Sequence, residues 1–150
     1  MIWFVVGSFE DDLRKFERKT ERKMTQVGRK VALEIFQRVI YKTPVDSGRA
    51  RANWQVTIGA PATGTVELSD KDGSATMSLA TAASAGFKAG DTIYLTSNLP
   101  YIRKLEEGGY PDGPKTVGGF SRQAPAGMVA LTVQEFAQVV NQISVEVSRQ

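Results

Sequence analysis

At 150 residues, with 41% hydrophobic and 23% charged positions, the chain has the size of one domain. Its composition is neither polar enough for wholesale disorder nor apolar enough for a membrane protein. With no Cys and no His, it has no disulfides, no zinc sites built on thiolate or imidazole, and no Ser-His-Asp or Cys-His catalysis. The net charge of +3 is lopsided: residues 1–54 hold 12 Lys/Arg against 7 Asp/Glu, and the remainder hold 7 against 9. Such asymmetry suits an anionic partner, or the meeting of unlike surfaces on two copies.

Met1 to Val6 is apolar, but it is too short for a membrane span and lacks the flanks of a signal peptide. Ser8 with Asp11 three residues later predicts a capping box. From there Phe9, Leu13, Phe16, Thr20, Met24, Val27, Val31 and Ile35 recur at steps of three and four, which predicts a helix from about Ser8 to about Tyr41. Such a helix is roughly 50 Å long, more than the width of a compact domain of this size, so part of it should overhang. Eleven of the fourteen residues from Glu10 to Lys23 are charged, which marks about 8–24 as the projecting part. Arg14, Arg18, Arg22, Lys15, Lys19 and Lys23 share the arc opposite the apolar stripe. They form either a solvated face or a contact surface for nucleic acid or an acidic protein.

Thr43-Pro44 closes the helix. Asp46-Ser47-Gly48 then offers an N-cap for a short turn through about Asn53, and a strand is predicted from Trp54 to Gly59. Thr65 to Ser69 reads as a second, weaker strand, and Ser74 to Gly86 as a modest helix. The β-branched and aromatic run Thr92 to Ser97 reads as a central strand. Leu99-Pro100 starts a helical turn containing Tyr101, Leu105 and Glu106. Gly108 to Pro125, rich in glycine and proline, predicts a long flexible loop. Val129, Val133, Phe136, Val140, Ile143 and Val147 then mark a final amphipathic helix.

Few residues suggest chemistry. Asp70-Lys-Asp72-Gly73 begins like a calcium loop, but its twelfth position is Thr81 rather than a bidentate Glu, so a polar turn is expected. No phosphate-binding glycine motif is present, and nothing converges on a carboxylate pair such as Glu106 and Asp46. The sequence therefore predicts no catalytic residue, no cofactor, no metal and no enzymatic activity; a metal-dependent nuclease is a remote rival.

Three segments are more specific: Thr43-Pro-Val-Asp-Ser-Gly-Arg-Ala-Arg-Ala-Asn-Trp54, Asn98-Leu-Pro-Tyr-Ile-Arg-Lys-Leu-Glu-Glu-Gly108 and Ser121-Arg-Gln-Ala-Pro-Ala-Gly-Met-Val129. In order and spacing they resemble the tail-completion, or minor tail component, family of long-tailed bacteriophages, over roughly Val27 to Val140. Ser47 stands where that pattern usually has Thr and keeps the hydroxyl, while Arg49 and Ala50 replace a common polar and a common larger apolar residue.

The resemblance implies an α+β fold, a small mostly antiparallel sheet packed by a long N-terminal helix and a C-terminal helix, in a single domain over 1–150. It implies a structural virion protein of the neck or upper tail, assembling as a ring of six copies that joins tail to head around the DNA channel. Its neighbours would be a tail terminator or tail tube protein and the head-completion or connector proteins. It would reside in the virion, and in the host cytoplasm during assembly, without a membrane partner.

Thr43, Pro44, Asp46, Ser47, Gly48, Trp54, Asn98, Pro100, Tyr101, Glu106, Gly108, Ala124 and Pro125 would form the structural motif. From the residues themselves, Asp46 is expected to satisfy free amides, Gly48 to permit close approach, Trp54 to supply apolar area, and Pro100 with Tyr101 to fix a corner. Glu106 is expected to meet Arg49 or Arg51, within or between copies. The rival to a ring protein is a nucleic-acid-binding module using the basic arc, although the chain lacks a helix-turn-helix, zinc knuckles and basic-aromatic interleaving.

Overall fold

The computed structural model describes the backbone of residues 7–150 and the side chains from residue 14 onward. The Ser8–Asp11 capping box and the Phe9 and Leu13 positions of the stripe lie outside the described side chains. Helix α1 runs over Gly7–Lys42, about 54 Å at the α-helical rise. Its second half is built into the molecule, with Ala32, Phe36, Val39 and Ile40 buried. Residues 14–22, within the charged front, are exposed throughout, and Phe16 and Met24 on its apolar stripe stand open as well.

The chain turns at Thr43-Pro44 into the one-turn helix α2 (Arg49–Ala52) and then strand β1 (Gln55–Ile58). Helix α3 (Ser74–Ser84) follows, then strand β2 (Ile93–Thr96) and helix α4 (Ile102–Glu107). The long C-terminal helix α5 covers Val129–Ser148. Strand β1 pairs antiparallel with β2, Val56 opposite Leu95 and Ile58 opposite Ile93. Val56, Ile93 and Leu95 face the core, so Gln55, Thr57, Tyr94 and Thr96 line the other face by strand alternation. The fold is α+β, with small antiparallel strand pairs packed by the long first helix and the last helix.

The core joins Ala32, Phe36, Val39 and Ile40 of α1 to Trp54, Ala124 and Met128. Trp54 is its largest side chain. Its indole Nε1 donates to Thr43 Oγ1 at 2.8 Å, and that hydroxyl donates to Val39 O at 2.7 Å, so neither buried polar group is orphaned. A second cluster, Val139, Ile143 and Val147, packs antiparallel along Val27, Val31 and Ile35 of α1.

Three sequence expectations change. Thr65 to Ser69 is not a paired strand; the side-chain amide of Asn53 takes the partner's place, donating to Val66 O and accepting from Val66 N. The run Thr92 to Ser97 contains an edge strand of a two-stranded sheet rather than a central one. The stretch 108–125 holds a second hairpin, β3 (Thr116–Val117) with β4 (Phe120–Ser121), too short to leave any periodicity.

If the indole carries the core, Trp54→Ala should lower stability by about 3–5 kcal/mol, read from denaturant unfolding. The α1–α5 seam also makes a pH prediction. Glu135 Oε1 accepts from Lys42 Nζ at 2.8 Å and its Oε2 from Arg38 Nη1, and these bonds hold the carboxyl below the ordinary glutamate range. A carboxyl depressed in the folded state stabilises above its unfolded value, and this contribution is lost as pH falls through the folded one. The melting temperature should therefore decline on acidification below about pH 4.5, and Glu135→Gln should flatten that decline.

Candidate interaction surfaces

The three sequence segments converge at one corner, where side chains of the third and second hold the first and third. Gln123, from the third segment, reads both backbone groups of Val45 in the first: Val45 N donates to Gln123 Oε1 at 2.8 Å and Gln123 Nε2 donates to Val45 O at 2.9 Å. Glu106, from the second, accepts from Met128 N (2.7 Å) and Val129 N (2.9 Å) on Oε2 and from Ala130 N (2.7 Å) on Oε1. Three of the four amides that open α5 are thus satisfied by one carboxylate, which also complements the positive end of the helix dipole. Gly127 (φ 83) makes this approach possible, because a Cβ there would lie 2.7 Å from Glu106 O.

Arg51 closes the opposite end of the corner. Its guanidinium donates to Ile40 O (3.1 Å), Tyr41 O (3.0 Å) and Lys71 O (2.6 Å), satisfying carbonyls at the end of α1. Gly48 (φ 89) receives Asp70 N on its carbonyl at 3.1 Å, and a Cβ would stand 2.7 Å from Asp70 C. Buried Asp70 in turn caps α3, accepting from Gly73 N, Thr76 N and Thr76 Oγ1. Asp72 accepts from the amide and hydroxyl of Ser74, which lower its pKa. The stretch Asp70 to Gly73 is the expected polar turn.

Several expected roles are reassigned. Within the chain Glu106 meets neither Arg49 nor Arg51; its oxygens accept from the amides that open α5. Arg51 is bound into its own fold and is not an open contact residue, whereas exposed Arg49 pairs with Glu67 at 3.4 Å. Asp46 caps nothing: it is exposed and pairs with Lys115 at 3.1 Å, while Ser47 Oγ accepts from Arg49 N. Asn98 pins the 60–64 turn by donating to Ala62 O and Gly64 O. Leu99 and Ala124 are buried, Pro100 and Pro125 lie exposed beside them, and a Cβ at Gly108 would stand 3.1 Å from the Phe120 ring.

A cleft of about 480 Å³ opens between these segments, with Pro44, Ala50, Tyr101, Leu105 and Tyr110 among its walls. Two larger open surfaces lie on the helices. In α5 Thr132, Val139, Ile143 and Val147 are buried, whereas Val133 (65% exposed), Phe136 (51%) and Val129 (36%), in its first half, are open. The sequence periodicity groups these three with Ile143 and Val147, which are buried. From Val129 to Val145 the single charged residue is Glu135, and it faces α1. The outward face of α5 is therefore apolar or uncharged, the composition of an interface centre.

The front of α1 is the electrostatic opposite. Among the described residues, Lys15, Arg18, Lys19, Arg22 and Lys23 make no ion pair. Lys15, Lys19 and Lys23 follow one another at i,i+4, as do Arg18 and Arg22, so like charges repel by a few tenths of a kcal/mol per pair.

Protein-family models, curated proteins and solved structures give no match to this chain. Among the described residues no group of three or more acidic side chains is placed to hold a metal ion, and no helix is long and apolar enough to cross a membrane. What the corner does physically is fix how α5 is presented. Gln123, Asn53 and Asp70 were missed in the sequence because a side-chain amide or carboxylate that replaces backbone pairing acts across 13 to 78 positions, or across a turn, and leaves no period.

Glu106→Ala should strip the start of α5 of its acceptor and destabilise the protein by about 1–3 kcal/mol. Hydrogen exchange should localise the effect, with faster exchange at Met128, Val129 and Ala130 and little change along α3.

Proposed function

We propose that this chain is a structural protein of a phage neck or upper tail, which assembles as a ring joining tail to head and performs no catalysis. The observation that carries the proposal is the outward stripe Val129, Val133 and Phe136 on an uncharged helix face. Water contact with that much apolar surface is unfavourable, and a protein neighbour removes it. The three-segment resemblance supplies the kind of assembly, and the corner supports a structural reading of those segments: Gln123, Glu106, Asn98 and Trp54 all serve hydrogen bonds that build the fold.

A ring requires one surface to meet a different surface on the next copy. The open α5 face and the apolar residues Phe16 and Met24 on the projecting helix are unlike surfaces of that sort. Six copies, a lumen passing genomic DNA, and tail-terminator and connector neighbours belong to this proposal through the resemblance alone, as does residence in the virion.

Native mass spectrometry and electron imaging of the purified protein test the reading. Closed rings are expected at high concentration, and Val133→Asp with Phe136→Asp should abolish them while leaving circular dichroism and melting close to wild type, since both side chains are exposed. Particles lacking the protein should be filled heads without attached tails. A protein that stays monomeric at every concentration, alongside infectious particles formed without it, would exclude this function.

A further inference from the structure

We infer that the front of α1 and the turn at 88–90 form a sequence-independent binding surface for the phosphate backbone of double-stranded DNA. A monomer would bind in this way too, so the inference does not rest on ring assembly.

The surface is a groove of about 890 Å³ between the projecting helix and the turn after α3. Arg18 and Arg22 stand on one wall and Lys88 on the other, Arg29 contributes a fourth cation, and Glu21 is the one carboxylate among the lining residues. The groove is built rather than fortuitous. Ala89 N donates to Thr25 Oγ1 at 2.9 Å, tying the turn to the helix, and the turn is closed by Lys88 N to Asp91 Oδ2 and Asp91 N to Lys88 O. Arg29 Nη2 is fixed by Ala85 O and Phe87 O, both at 3.0 Å, while its Nε–H is buried with no acceptor.

The shape and charge favour a phosphate array. Arg18 and Arg22 are about 6 Å apart along the axis, and Lys15, Lys19 and Lys23 repeat the same spacing on the neighbouring arc. The helix projects as a rod about 10–12 Å thick, the width that the duplex major groove admits.

Fluorescence anisotropy with two labelled 20-base-pair duplexes of unrelated sequence tests this on the full chain. Both should bind alike, and raising salt from 50 to 200 mM should weaken binding about 100-fold, as for about four phosphate contacts. Arg18→Glu with Arg22→Glu should weaken binding at least about 30-fold and reduce the salt slope by about two, and Lys88→Glu should weaken it several-fold. The distant Lys71→Glu should change little, with the fold of each variant checked by circular dichroism. No binding at 50 mM salt, equal loss in Lys71→Glu, or unchanged binding in the groove variants would overturn the inference. So would polyglutamate competing as well as DNA at equal charge, which would assign the groove to an acidic protein.

Discussion

Glu106 gives its carboxylate to three amides at the start of α5, and the orientation of that helix depends on this contact. A twenty-residue helix with apolar side chains on more than one flank has more than one way to pack. The cap fixes where the helix begins, and the Arg38–Glu135–Lys42 cluster and the Lys30–Glu146 pair fix its rotation against α1. Thr132, Val139, Ile143 and Val147 go inward, while Val129, Val133 and Phe136, in the first half of the helix, stay open although Val129 shares its angular position with Val147.

Side chains here stand in for missing sheet. Each named strand is at most four residues long. Backbone groups that a larger sheet would pair are met instead by Asn53 on Val66 and Gln123 on Val45. A carboxamide offers one donor and one acceptor side by side, as a neighbouring strand does. These pairings bind loops to the core without extending the sheet, and so the corner of three segments can form from turns.

Much of the architecture was legible in the sequence. The steps of three and four from Phe9 to Ile35 mark α1 almost to its last residue, Thr43-Pro44 marks its end, and the runs Trp54 to Gly59 and Thr92 to Ser97 contain the paired strands. The failures were of long range. Helical spacing alone cannot say how far along α5 its apolar arc is covered, and the Glu106 that caps its start lies twenty-two to twenty-four positions away. Asp46, placed beside free amides in sequence, faces away from them, and Arg51, read as an open cation, is held by carbonyls at the end of α1. The hairpin at 116–121 escaped notice because two-residue strands between glycines have no alternation to detect.

The central claim is that α5 carries its uncharged outer face toward a neighbour. Since the chain has no Cys, single replacements Val133→Cys, Phe136→Cys and Val139→Cys allow thiol labelling to report each side of the helix separately. In dilute protein the thiols at 133 and 136 should react at nearly the rate of a free thiol and the one at 139 slowly; at concentrations where the protein associates, 133 and 136 should become shielded. Thiols at 133 and 136 that label at one unchanged rate across the whole concentration range would contradict the account.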